Sequence, residues 1–224
     1  MSPFRTVFLD VDDTLYPNTS GVWEAIGERI NLYMQEKVGI PVGRVAALRD
    51  QYFRAYGTTL NGLMLHHHVD PRDYLDYVHQ VPIEEMIQPD PELQHTLRSL
   101  PQRKVVFTNA SSDHAGRVIR ALGLEGAIDQ VVDILALQMV NKPQPESFLK
   151  AMALSGETEA AACMTVDDAV RNLMTAKNLG MTTVLVGRSD GCEAVDFCVA
   201  RAAELIQAVP ALLQSDPDRR SPSL

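Results

Sequence analysis

The chain of 224 residues is 46% hydrophobic and 22% charged, enough for one large domain or a core with a smaller insertion. Its formal net charge of -9 argues against a nucleic-acid polymer or an anionic membrane surface as partner, while a local positive site could still take a small anion. Cys163, Cys192 and Cys198 show no zinc spacing and, being odd in number, predict no disulfide framework.

The N-terminus shows no basic-then-apolar leader, and no apolar stretch approaches the roughly 20 residues that span a bilayer. A soluble protein of a reducing cytoplasm is therefore expected. Val7–Val11 is a short apolar run ending in acids and reads as a buried strand. From Pro17 to Gln88 the pattern is helical only. Val22, Ile26, Ile30, Tyr33 and Met34 share one face, and Gly39 with Pro41 ends that helix. Val45, Leu48, Tyr52 and Ala55 continue in the next, and Asp70–Pro71 caps a third that carries Tyr74, Leu75 and Val78. Asp90–Pro91 repeats the device before Leu93, Leu97 and Leu100.

Strand-like runs then recur at Lys104–Thr108, Val131–Leu135, Cys163–Val166 and Thr182–Val186. Between them, one helix is capped by Ser111 or Ser112 and stops at Gly123. A second opens at Pro145 and stops at Gly156, and a third runs from Ala169 to Gly180. This alternation predicts an α/β fold: a Rossmann-like, mainly parallel sheet with helices on both faces. The expected organisation is a core of 1–16 and 89–214, an inserted all-helical cap at 17–88, and a frayed polar tail at 215–224.

Chemistry-bearing residues cluster at the predicted strand ends. Asp10, Asp12 and Asp13 close the first run, Thr108 and Asn109 the second, and Asp167 and Asp168 the fourth, while Lys142–Pro143 follows the third. A parallel sheet places all strand C-termini on one edge, where ligands bind at a switch in strand order. Carboxylates crowded there need a cation, and a ligand set of hard oxygens selects Mg2+ over zinc. With Lys142 nearby, one carboxylate can attack a phosphorus atom while a second acid exchanges protons with the leaving oxygen and then with water. Thr108 and the amides around Asn109 and Ala110 open a helix, a seat for phosphate oxygens.

Asp10-Val11-Asp12-Asp13-Thr14-Leu15 resembles the first motif of the haloacid dehalogenase superfamily. Thr108-Asn109, Lys142-Pro143 and Asp167-Asp168 resemble its second, third and fourth motifs in order, and the helical insert sits where such enzymes carry a cap. The resemblance implies a phosphomonoesterase that works through an aspartyl-phosphate, with Asp10 as nucleophile and Asp12 as general acid and base. It places Mg2+ on the Asp10 carboxylate, the Asp12 carbonyl and Asp168, with Asp167 close behind, and gives Thr108 and Lys142 the phosphoryl group. The Asp12 position argues for phosphoryl transfer, since true dehalogenases of the superfamily lack an acid there. Ala169 departs from the pattern, because relatives commonly place a serine after the paired acids.

Leu15-Tyr16-Pro17, Tyr56-Gly57-Thr58-Thr59-Leu60, the His66–Asp70 stretch and Val78-His79 resemble the pyrimidine 5'-nucleotidase branch. That implies a nucleoside monophosphate such as UMP or CMP as substrate, with Tyr56 and Thr58 either cap core or substrate contacts. The expected partner is a small phosphorylated metabolite bound by a monomer or homodimer. A phosphoglycolate-type or broad small-metabolite phosphatase and a phosphomutase are the alternatives within enzymes. A receiver-type signalling domain also gathers acids, a threonine and a lysine around Mg2+, but its second acidic pair does not follow the lysine and it has no room for the cap. Adjacent histidines at 66–68 face different directions on a helix and suit solvent or a substrate mouth better than one shared ion, Trp23 reads as packing, and His79 and His114 have no assignment.

Overall fold

The computed structural model describes residues 2–188 and 190–213; the tail expected to fray at 215–224 lies outside the described residues. Six strands, β1 (Thr6–Leu9), β2 (Arg103–Phe107), β3 (Gln130–Val132), β4 (Cys163–Asp167), β5 (Thr182–Val186) and β6 (Phe197–Val199), form one sheet in the order β3-β2-β1-β4-β5-β6. Every neighbouring pair is parallel. The connection from β1 runs to one side through β2 and β3, then returns to the other side at β4. The crevice between β1 and β4 is therefore the switch point at which such sheets hold ligands.

Alternate residues of the strands face opposite layers. Val7, Leu9, Val106 and Val166 pack into one cluster with α6 (Pro91–Ser99) and α7 (Ser112–Ala121) through Leu93, Leu97, Ala115 and Val118. Phe8, Val105, Phe107 and Cys163 face the other, against Phe148, Ala151 and Met152 of α8 (Pro145–Leu154) and Ala176 of α9 (Val170–Asn178). Edge-to-face rings of Phe8, Phe107 and Phe148, with centroids 6.1 and 5.1 Å apart, fill that second layer.

The insert consists of α1 (Val22–Glu36), α2 (Val42–Tyr56), α3 (Thr59–His67) and α4 (Pro71–Val78), followed by the short α5 (Ile83–Met86). All five residues assigned to the inner face of α1 are buried, and Tyr33 meets Tyr74 and Tyr77 edge-on at 5.0 and 5.3 Å. Asp70 caps α4 by accepting from the amides of Arg72 and Asp73. Residues 79–86 behave differently, for they are fastened to the core helix α7. Arg117 donates to the carbonyls of His79 and Val81 at 3.0 and 2.7 Å and pairs with Glu84, and α5 packs on α7.

Three expectations need correction. The first strand stops at Leu9 rather than Val11, and β3 is the three residues Gln130–Val132 rather than Val131–Leu135, because the turns that build the site begin earlier. Cys192 and Cys198 form a disulfide, since the turn into β6 brings their Cα atoms to 5.8 Å. An odd count leaves one cysteine over, here the buried Cys163, without forbidding the other two to pair. The cysteines therefore supply no argument for a reducing compartment. Among the described residues no helix is long and apolar enough to cross a membrane.

Candidate active site

Beyond Leu9 the Asp10 amide still donates to the Val166 carbonyl at 2.9 Å, which holds Asp10 at the β1–β4 crevice. The backbone then turns back. Thr14 and Leu15 amides donate to the Val11 carbonyl, and Asp13 adopts the left-handed conformation at φ 56°. That turn takes Asp12 out of the extended conformation, and both Asp10 and Asp12 line the cavity above the sheet edge.

Lys142 is 1% exposed and lies between two carboxylates, 2.9 Å from Asp10 and 2.7 Å from Asp167. Its backbone is pinned to the end of β2, where Lys142 N donates to Asn109 Oδ1 at 2.8 Å and Asn109 Nδ2 donates to the Lys142 carbonyl at 3.1 Å. Burial alone would drive the ammonium to shed its proton, but the charges of Asp10 and Asp167 outweigh it and raise its pKa. Thr108 is buried beside them. Its hydroxyl oxygen accepts from the Ala110 amide at 3.0 Å, which leaves its own proton free to donate.

Asp167 has little capacity left. Its oxygens accept from Lys142, from the Ala169 amide at 2.9 Å and from Asn172 Nδ2 at 3.0 and 3.1 Å. Asn172, in the first turn of α9, thus supplies side-chain bonds to Asp167 although Ala169 has no hydroxyl. Asp168 has no side-chain hydrogen bond among the described residues. Burial, then the charges of Asp167 and Asp13, push its carboxyl up to about 7. Burial likewise raises Asp10 well above the carboxylate range, with Asp167 and Asp168 adding to it and Lys142 opposing.

Carboxylate oxygens of Asp10, Asp167 and Asp168 all lie within 4.8 Å of one another. Three hard-oxygen acids that share one lysine are compatible with a divalent cation such as Mg2+, and Asp10 and Asp168 are the members with coordinating capacity to spare.

Asp12 is set apart from that group. Its Oδ1 accepts from Tyr16 Oη at 2.5 Å and is 2.7 Å from His114 Nε2. Burial would raise its pKa, but the charge and hydrogen bond of His114, with the bond from Tyr16, bring it down to about 2.

Between cap and core lies a cavity of about 840 Å3, walled by Asp10, Asp12, Thr108, Asn109, Ala110 and Lys142 on one side. Cap residues Trp23, Ile30, Arg49, Phe53 and Thr58 wall the other. Trp23 is 44% exposed and Phe53 41%, so Trp23 is a wall of the cavity rather than packing within the cap. The Arg171 guanidinium from α9 sits 4.0 Å over the Phe53 ring. Thr58 both lines the cavity and caps α3 by accepting from the Asn61 amide. Tyr56 is not in the wall; its hydroxyl turns to His66 Nε2 at 2.7 Å. Tyr52 bonds His67 in the same way at 2.9 Å, so these two histidines tie α3 to α2.

Sequence reasoning missed Asn172, Tyr16 as a partner of Asp12, and His114. The signals were slight: Asn172 lies five residues beyond Asp167, and His114 three beyond the Ser111 cap.

Residues 4–180 match the family described as haloacid dehalogenase-like hydrolase. The chain belongs to that family. Phosphate metabolism protein 8 of Saccharomyces cerevisiae is 26% identical over 200 residues, an alignment covering 82% of this chain and 62% of that protein. The chain thus spans less than two thirds of that relative's length. A hydrolase from Pseudomonas syringae superposes with a TM-score of 0.63 at 20% identity, covering 91% of this chain and 96% of the other. The magnesium-bound HAD-hydrolase YfnB of Bacillus subtilis gives 0.62 at 15%, covering 95% and 99%. At these identities the two structures show the fold alone. On that fold, this haloacid dehalogenase-like chain carries an Asp cluster that could hold a divalent cation.

Proposed function

We propose that the protein is a Mg2+-dependent nucleoside 5'-monophosphate phosphatase with a preference for pyrimidines. The observation that carries the phosphatase reading is Lys142, buried between Asp10 and Asp167 at 2.9 and 2.7 Å beneath a cavity that Asp12 and Thr108 also line. Asp10 is the nucleophile. A carboxylate oxygen attacks phosphorus, the bond to the ester oxygen breaks, and Asp12 relays to that oxygen, as it leaves, a proton drawn from the monoanionic phosphoester. Asp12, again a carboxylate, then takes a proton from the water that attacks the aspartyl-phosphate; the bond to Asp10 breaks and phosphate is released. Lys142, the Thr108 hydroxyl and the Asn109 amide hold the phosphoryl oxygens, while the Ala110 amide stays on Thr108 Oγ1. Mg2+ held by Asp10, Asp168 and the Asp12 carbonyl would screen the approach of one anion to the other.

The substrate reading rests on the cap segments that resemble pyrimidine 5'-nucleotidases and on the cavity. A volume of about 840 Å3 accommodates a nucleotide, and Trp23, Phe53 and Arg171 offer flat faces and a cation beyond the phosphate seat. Of the two cap residues singled out from sequence, Thr58 is retained as a substrate contact and Tyr56 is not.

Asp10→Asn should abolish Mg2+-dependent phosphate release while thermal unfolding stays nearly unchanged, because Lys142 keeps Asp167; an active variant would remove the covalent route. For the substrate, a panel of UMP, CMP, AMP, GMP and phosphoglycolate should show higher kcat/KM on UMP and CMP. Equal rates on purines, or faster release from phosphoglycolate, would discard the pyrimidine preference and leave the phosphatase reading standing.

A further inference from the structure

Asp12 must point one oxygen at the leaving group and then at water, and a carboxylate on a turn has rotational freedom about its side-chain bonds. The surroundings remove it. Oδ1 accepts from Tyr16 Oη and lies against His114 Nε2, at 2.5 and 2.7 Å from opposite parts of the chain. The other oxygen has no hydrogen-bond partner among the described residues, and the side chain is 15% exposed on the cavity wall. Tyr16 is 3% exposed and His114 1%. With a carboxylate oxygen as partner, His114 Nε2 carries the proton and donates it, while Nδ1 is buried without a partner. His114 is backed by His79 from the end of α4, whose ring stacks on it at 4.3 Å and whose Nδ1 is 3.1 Å from Ser111 Oγ. A buried histidine that leaves one nitrogen unpaired is costly for folding alone. Its placement is explained by what the other nitrogen does.

We propose that Tyr16 and His114 are positioning residues that jointly fix the Asp12 carboxylate for proton transfer, with His79 holding the His114 ring in place. The proposal rests on Asp12 being the acid and base of the reaction. Neither side chain touches the reacting atoms, so removing either should weaken protonation of the leaving oxygen more than it weakens phosphate binding.

The test compares kcat/KM, which reports the first half-reaction, on phenyl phosphate and p-nitrophenyl phosphate. The two esters match in shape, but phenoxide needs protonation on leaving far more than nitrophenoxide does. General acid catalysis is worth on the order of 100-fold or more, so Asp12→Asn should lose about that much more on the phenyl ester than on the nitrophenyl ester. Tyr16→Phe and His114→Leu should each show the same bias, about tenfold, with KM moving less than kcat. His114→Gln, whose amide can donate from the same reach as Nε2, should restore the ratio to within about threefold of wild type.

Thermal unfolding of each variant separates these effects from loss of fold, and Tyr16→Phe, which removes one oxygen atom, stands in where His114→Leu does not fold. Equal losses on the two esters in Tyr16→Phe and His114→Leu, alongside a biased Asp12→Asn, would overturn the positioning role. So would identical behaviour of His114→Gln and His114→Leu. An unbiased Asp12→Asn would instead defeat the acid role of Asp12, and this proposal with it.

Discussion

Asp168 makes no ion pair among the described residues, and burial beside Asp167 and Asp13 outweighs the opposing charge of Lys142. With its carboxyl pushed to about 7, the folded metal-free protein keeps a proton that the unfolded chain releases near the ordinary aspartate value of about 4. The folded state therefore binds more protons between those limits. This contribution to stability is fully present below about pH 4 and is lost as pH rises through about 7. Asp12 runs the other way, with a folded value of about 2, and its contribution is lost only as pH falls through that value, outside the window. A divalent cation bound at Asp168 would reverse the effect by replacing the proton. Calorimetric melting should thus show a larger stabilisation by Mg2+ at pH 8 than at pH 6, and Mg2+ affinity should rise by up to about tenfold per pH unit below pH 7. An equal Mg2+ shift at both pH values would separate Asp168 from the metal.

Helices α2 and α3 meet so closely that a Cβ on Gly62 would lie 2.2 Å from Tyr52 Cγ and 2.5 Å from its Cβ. Gly62→Ala should cost about 1–3 kcal/mol in urea unfolding, because Tyr52 is also held by His67 and cannot step aside. Gly43→Ala near the start of α2 meets nothing within 4 Å and should be neutral or stabilising by about 0.4–1 kcal/mol. Losses of equal size would show that the close approach is not what limits the cap.

Some of these elements are legible in local sequence and others are not. Helices with a proline or a hydroxyl at the start and an apolar stripe behind it, such as α4, α6 and α7, are written in local residues. The strip Phe197–Val199 is too short to carry a period, and it becomes β6 only because β5 offers an edge. Asp10, Thr108, Lys142 and the acid pair could be placed because strand ends share a rim. His114, Tyr16 and Asn172 could not, because their partners are defined by tertiary approach. Tyr56 could be read only as cap core or substrate contact for a related reason. Its helix phase was readable, but the histidine that claims its hydroxyl depends on how α3 folds back.

Viewed whole, the cap is tied to the core by few polar contacts on its free side. Arg171 donates to the Gly57 carbonyl at 3.2 Å, and Asn61 donates to Asn141 Oδ1 at 2.6 Å. The stretch 79–86 is by contrast clamped to α7 by Arg117, so any movement of the cap on this side would hinge near Val78. Hydrogen exchange of the amides from Gly57 to Asn61 should slow when Mg2+ and inorganic phosphate are added together, while amides of 83–86 keep their rates. Unchanged exchange at Gly57–Asn61 would mean that phosphate does not close the cap through those ties.

The central place of β1 also has a consequence for synthesis. Its hydrogen bonds run to β2 and to β4, segments made far later than β1 itself. A nascent chain leaving the ribosome would hold Asp10 without Lys142 or the 167–168 acids until residue 168 had emerged. Until then the acid cluster stays incomplete, and the Thr6–Leu9 segment would need shelter from association with other chains.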